Sequence, residues 1–186
     1  MTDVTVEAVI IGGGQAGIPV ARALAERGRS VAVVEREHLG GSSVNFGCTP
    51  SKAMIASARL ASEARKGSEL GILVPTVAVD FLSVMNRARR LVAAAKGSLD
   101  ESFAANTNPQ LVKGHGRLEG RDGSHFCVRV GDIRVLAAQV VLDTGTRTSL
   151  PKLDGLDQVQ PITAENWIEL QELPRRLLIL GGSCSS

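Results

Sequence analysis

The run Gly12-Gly13-Gly14-Gln15-Ala16-Gly17 constrains this chain more than any other stretch, because of what flanks it. Before it, Thr5 to Ile11 is rich in Val and Ile and reads as a short strand of the kind buried in a parallel sheet. After it, Ile18 to Arg27 follows a helical pattern, with Val20, Ala21 and Leu24 facing inward and Gly28 as the stop. Ser30 to Val34 reads as a second strand that ends at Glu35. Strand, glycine turn, helix, strand and acid, in this order, are the setting in which G-x-G-x-x-G holds a dinucleotide. Gly12 allows the tight turn, Gly14 lets the backbone approach a pyrophosphate, and Gly17 lets helix and strand pack closely. The helix N-terminus, with Gln15 and Ala16 on the approach to it, receives the phosphate charge. Glu35 accepts hydrogen bonds from an adenosine ribose. NAD and FAD share this pattern, so the motif leaves the choice between them open.

A second glycine-rich loop, Gly40-Gly41-Ser42-Ser43-Val44-Asn45-Phe46-Gly47-Cys48-Thr49-Pro50-Ser51-Lys52, ends by launching a helix. Gly40, Gly41 and Gly47 permit tight backbone paths and close approach to a ligand. Thr49 suits the N-cap and Pro50 the first helical position, whose N–H has no intrahelical partner. Cys48 then stands just before a helix N-terminus, where the macrodipole favours a thiolate, and Lys52 adds positive charge on the first turn.

This loop resembles the redox-active segment of the pyridine nucleotide-disulfide oxidoreductases, G-G-T-C-V-N-x-G-C-x-P-[ST]-K. The ending Cys48-Thr49-Pro50-Ser51-Lys52, followed by Ala53 to Ala58, looks most like the mercuric-reductase-like branch. The resemblance selects FAD as the dinucleotide and implies that Gly41, Ser42, Ser43, Gly47, Cys48 and Lys52 line the flavin. It implies that Cys48 is the thiolate in charge-transfer contact with the ring and that Lys52 lies near the ring's reactive edge. One departure stands out: the first cysteine position is Ser43. A hydroxyl cannot form a disulfide or pass electrons through one, so the dithiol relay cannot run through this pair.

Further along, residues 50–66 and about 81–105 read as helices, with Phe81, Val84, Met85, Ala88, Leu91, Val92, Ala95, Leu99 and Phe103 at helical spacing. Arg87, Arg89 and Arg90 fall around the second helix and read as a solvated face. Gln110 to Lys113 is a strand leading to Gly114-His115-Gly116, where the resemblance places Gly116 beside the adenine, while His115, with no acid or nucleophile nearby in sequence, reads as positional. Asp122-Gly123 and Gly131-Asp132 mark hairpin turns around His125–Val130, followed by Ile133–Leu136. Cys127, on the face opposite Phe126, Val128 and Val130, reads as structural. Val140-Val141-Leu142 returns to the main sheet and meets Asp143-Thr144-Gly145-Thr146, which resembles the family's [AN]-T-G-[ST] signature near the flavin. Thr144 and Gly145 are therefore further cofactor contacts, and Asp143 takes the usual Ala or Asn position. There an unpaired buried carboxylate would be costly and weaken binding.

The expected fold is thus α/β: a Rossmann-like FAD-binding domain over 1–150, a parallel sheet with helices, carrying a helical insertion at about 50–105. A three-stranded antiparallel β-meander occupies about 115–137. Residues 151–175 read as a linker. Residues 176–186, with the apolar Leu177-Leu178-Ile179-Leu180 and the turn Gly181-Gly182-Ser183, resemble the first strand and a broken glycine turn of an NAD(P)H-binding domain. The remainder of that domain and the family's dimerisation domain have no counterpart in the sequence, which reads as truncated.

Composition excludes other classes. With 186 residues, 44% of them hydrophobic, the chain can bury a substantial core, and a net charge of +2 points to neither nucleic acid nor an anionic membrane. Three irregularly spaced cysteines argue against a disulfide framework and for a reducing, cytoplasmic setting. No stretch is apolar enough to span a bilayer, and no metal site is expected. The functional expectation is the FAD-binding portion of an NAD(P)H-dependent oxidoreductase without its redox disulfide. The alternative is an inactive FAD-binding remnant or interaction module.

Overall fold

The computed structural model describes residues 2–182 and divides into two compact units. The first comprises residues 1–45 and 94–146, and the second residues 46–93 and 147–186.

The first unit is built on a six-stranded sheet. Its strands are β1 (Thr2–Ile11), β2 (Val31–Glu35), β3 (Gln110–Lys113), β4 (Arg117–Asp122), β5 (His125–Val130) and β6 (Ile133–Leu142), in the spatial order β3-β2-β1-β6-β5-β4. β3, β2, β1 and β6 run parallel, whereas β4, β5 and β6 form an antiparallel meander. Helix α1 (Gly17–Glu26) makes the crossover from β1 to β2. Both faces of β1 and β2 are covered, so Val9, Ile10, Val33 and Val34 are all fully buried. The pleat sends alternate residues of β1 to different cores. Val9 and Ile11 join Val34, Val112, Val128 and Val135, while Ile10 joins Ile18, Ala21, Val33 and Phe103.

Expected as two pieces, Ile133–Leu136 and Val140–Leu142 are one strand. β6 pairs with β5 from Ile133 to Ala137 and with β1 from Ile133 to Leu142. The short side chain of Ala137, fully buried, lets the strand run on through a stretch of weak strand formers. The meander is therefore continuous with the parallel sheet through β6.

The second unit contains α3 (Cys48–Lys66) and the first part of α4 (Phe81–Ala104), whose last residues, from Ala94, belong to the first unit. The five-residue α2 (Gly41–Asn45) lies in the first unit, where a plain loop was expected. Asp80 caps α4: its carboxylate accepts the Ser83 N–H at 3.0 Å and the Ser83 hydroxyl at 2.6 Å, and these donors hold its pKa below the ordinary value. α3 starts two residues earlier than the capping pattern predicts. Gly47 takes the N-cap position and Cys48 the first helical one, so Thr49 is not the cap. Pro50 then lies third in the helix, still among the positions whose N–H has no intrahelical acceptor, so its ring costs no hydrogen bond.

Two of the three arginines expected on a solvated face hold this unit together. Arg87 donates to the Ala53 carbonyl and, at 3.0 Å, to the Ser57 hydroxyl. Arg89 donates to the carbonyls of Ile168 and Leu170 at 3.0 and 2.8 Å. Arg90 is exposed, as expected. The expected linker is likewise anchored: the Trp167 indole donates to the Phe46 carbonyl at 2.7 Å. Leu177–Leu180, expected as a strand, has no strand structure and is exposed throughout, from 52% at Leu180 to 85% at Leu178. An apolar run becomes a strand only where a neighbouring edge satisfies its backbone, and none does so among the described residues. Ser183, in the expected broken turn, lies outside the described residues.

Candidate dinucleotide site

The carboxyl ends of β1, β2 and β6 meet at the point where the chain order in the sheet changes direction, the place where open α/β sheets bind ligands. The glycine turn sits there. Gly12 has φ +112°, and a Cβ on it would lie 2.0 Å from the Asp143 carbonyl oxygen, so no other residue fits. Gly17 is helical, but its Cβ would lie 2.1 Å from the Gly12 carbonyl oxygen. These contacts are the physical content of the expectation that helix and strand pack closely here.

Hydrogen bonds fix the rest of the turn. The Gly12 N–H donates to the Val34 carbonyl and the Gly13 N–H to the Glu35 carboxylate, both at 2.8 Å. Glu35 also accepts the Glu37 N–H at 2.7 Å on its other oxygen. Each carboxylate oxygen therefore retains acceptor capacity for a hydroxyl. The second glycine loop docks on the first. The Gly40 N–H donates to the Gly13 carbonyl at 2.7 Å, Gln15 donates its side-chain amide to the Gly40 carbonyl, and a Cβ on Gly41 would lie 2.9 Å from the Gly14 Cα. Among the described residues, the N–H groups of Gly14, Gln15 and Ala16 meet no acceptor. Three consecutive donors at the start of α1 suit an anion, and Glu35 at the end of β2 suits a ribose. The donor and acceptor set thus fits an adenine dinucleotide.

The structure brings Gly12, Gly14, Gln15, Ala16, Gly17, Glu35 and Gly41 into one hydrogen-bonded cluster, with Asp143 beside them. Thr144 and Gly145 follow as exposed backbone at the same sheet edge. Gly116 packs against the sheet end, its Cβ position 3.0 Å from Val34 and 3.3 Å from Ile11. His115 is exposed. Ser42 and Ser43 belong to α2 in the first unit. Gly47, Cys48 and Lys52 belong to the second unit, where Cys48 is exposed at the start of α3 and Lys52 is exposed one turn further on. Neither Cys48 nor Cys127 forms a disulfide among the described residues. Cys127 is buried, with its thiol 4.0 Å from the Glu119 carboxylate.

Asp143 corrects the expectation of an unpaired, costly carboxylate. It is half-buried, and its Oδ2 accepts the Gly17 N–H at 2.8 Å. Sequence reasoning also missed Gly13, whose N–H orients Glu35; the repeated glycine between the two motif glycines was the available signal. No group of three or more His, Cys, Asp or Glu side chains among the described residues could hold a metal ion. No helix there is long and apolar enough to cross a membrane.

Known proteins resemble this chain in sequence and fold. The chain is 38% identical to a mercuric reductase of Streptomyces lividans over 93% of its own length and 37% of the relative's. It is 32% identical to a dihydrolipoyl dehydrogenase of Bacillus subtilis, covering 95% of this chain and 39% of that one. Among solved structures, the HOCl-induced flavoprotein disulfide reductase RclA of Escherichia coli superposes with a TM-score of 0.70 at 25% identity, covering 90% of this chain and 35% of RclA. A cysteine-to-serine variant of RclA, as its Cu(II) complex, superposes with a TM-score of 0.74 at 23% identity, over 94% of this chain and 36% of that one. The chain therefore spans well under half the length of these relatives. The family described as pyridine nucleotide-disulphide oxidoreductase matches over residues 6–186, and its members are FAD-dependent enzymes with NAD(P)H as substrate. This chain belongs to the pyridine nucleotide-disulphide oxidoreductase family.

Proposed function

We propose that this chain is the FAD-binding portion of an NAD(P)H-dependent flavoprotein oxidoreductase of the mercuric-reductase and dihydrolipoyl-dehydrogenase kind. The observation that carries the reading is the glycine turn, in which Gly13 orients Glu35 while Gly14, Gln15 and Ala16 leave their N–H groups without protein acceptors. These three donors hold the diphosphate, Glu35 accepts the ribose hydroxyls, and Gly116 gives the adenine a side-chain-free approach. Gly41, Ser42, Thr144 and Gly145 supply backbone or hydroxyl groups toward the flavin end. Bound FAD supplies hydride acceptance from the nicotinamide and onward transfer to an acceptor. The resemblance assigns Lys52 a positive charge near the ring and Cys48 a thiol, which cannot form a disulfide with Ser43. The chain corresponds to the flavin part of its longer relatives, and it acts in a reducing, cytoplasmic setting.

Ser43 also favours a second reading, an FAD-binding module without turnover, because the hydroxyl removes the dithiol route. The visible absorption spectrum of the purified chain, before and after adding FAD, tests the first reading. A flavin band that survives gel filtration is expected, and a colourless protein that takes up no FAD refutes it. Bleaching of the bound band by NAD(P)H separates the enzyme from the inert module.

A further inference from the structure

We propose that Asp143 is a built-in anion of the glycine turn, which shapes the turn before the cofactor arrives and then opposes FAD by its charge. The inference rests on the flavin reading above. Asp143 is fixed at the end of β6 by its own backbone: its N–H donates to the Ile11 carbonyl at 2.8 Å, and its carbonyl oxygen lies under Gly12. Its side chain turns back onto the start of α1. Oδ2 accepts the Gly17 N–H at 2.8 Å, and a Cβ on Gly14 would stand 2.8 Å from the same oxygen. Ala16, at the cap position, gives no side-chain cap, so Asp143 serves as the side-chain anion of this helix end.

A helix N-terminus carries roughly half a positive charge, which is what attracts a diphosphate. The Asp143 carboxylate already occupies that field and takes one of the donors that create it. In the absence of cofactor it satisfies a donor that would otherwise be orphaned and ties β6 to α1. In its presence, a full negative charge stands against the Gly14 to Gly17 turn that the diphosphate must approach. The Ala or Asn usual at this position in the resembled family brings no such charge. This chain therefore trades cofactor affinity for a turn that is formed beforehand.

Three proteins test this: the parent chain, Asp143→Asn and Asp143→Ala. Asparagine keeps an acceptor for the Gly17 N–H and removes the charge, whereas alanine removes both. FAD affinity is measured by quenching of flavin fluorescence, and melting temperature is measured without FAD. Asp143→Asn is expected to bind FAD about tenfold more tightly than the parent, near the lower end of what one nearby like charge costs at a protein surface. Adenosine, which has no diphosphate, is expected to bind both equally. Asp143→Ala is expected to melt below Asp143→Asn. Equal or weaker FAD binding by Asp143→Asn overturns the inference while leaving the flavin reading intact. An equal gain for adenosine also overturns it, since the effect would then not be electrostatic. If Asp143→Asn does not fold, added salt should tighten FAD binding to the parent by screening the repulsion, and loosening would count against the proposal. Failure of every protein to take up FAD refutes the flavin reading itself and the inference with it.

Discussion

Gly17→Ala and Gly97→Ala introduce the same methyl group into two helices, yet their effects should have opposite signs. On propensity alone, each gains about 0.8–1.0 kcal/mol, because glycine is the worse helix former. Gly97 lies within α4, and its Cβ would have no neighbour within 4 Å. Gly17 opens α1, and its Cβ would lie 2.1 Å from the Gly12 carbonyl oxygen and 3.1 Å from Ile10 Cγ2. Side chains essentially never approach below 3.0 Å, so α1 must retreat from β1 by about 0.9 Å. Ile10 and Ala21 are fully buried in the core that this retreat opens. Overpacking of this kind costs about 3 kcal/mol, at the upper end of the usual range. Net destabilisation of Gly17→Ala is therefore about 2 kcal/mol, a melting temperature lower by roughly 4–8 °C for a chain of this size. Gly97→Ala should melt about 2–4 °C higher than the parent. Differential scanning calorimetry of both variants decides the matter. A Gly17→Ala chain as stable as the parent would show that the close approach of strand and helix is not a constraint, and the steric reasoning would fail.

Arg89→Met removes the donors to the Ile168 and Leu170 carbonyls. It should cost about 3 kcal/mol and speed limited proteolysis within residues 147–170, since each of the two hydrogen bonds from a charged donor is worth about 1.5–3 kcal/mol. The Thr148 hydroxyl and N–H, donated to Glu165 at 2.7 and 2.8 Å, pull its carboxyl down from 4.5 to about 2. A depressed folded pKa means that this contact stabilises above pH 4.5 and is lost as pH falls toward 2. Carboxyl NMR titration should find Glu165 near 2 in the parent and higher in Thr148→Val. Removing the chain from Pro174 onward should leave the melting temperature unchanged or raise it, because Leu177–Leu180 expose apolar surface. A large drop would show that this segment belongs to the folded unit.

What could be read from the sequence was local. β1, α1 and β2 were legible because a fully buried strand, a glycine turn and an amphipathic helix each leave a pattern within a few residues. α4 was legible from its long run of helical spacing. The Arg87 and Arg89 contacts were not, since their partners lie 30 to 81 residues away in the chain. Leu177–Leu180 misled for the complementary reason: its composition suits a strand, but strand formation depends on a partner that composition does not name. At the site, Gly12, Gly17 and Glu35 followed from the motif. Asp143 could be flagged as a departure, but its role depends on a bond spanning 126 residues. The start of α3 slipped by two positions because Gly47 and Thr49 are both acceptable caps, and tertiary context chose the glycine.

The continuity of β6 has a consequence for how this chain tolerates change in length. Ten residues, Ile133–Leu142, carry the meander and the edge beside the glycine turn on one rod, paired with β1 along its length. A single inserted or deleted residue between Ala137 and Val140 would turn every following side chain to the opposite face. Asp143 would leave the glycine turn, and Val141 would leave the core it packs against. The hairpin ends at Gly123 and Gly131, both at positive φ with open space around them, impose no such parity. Length variation in this half of the chain should therefore collect at those two turns and be excluded from β6.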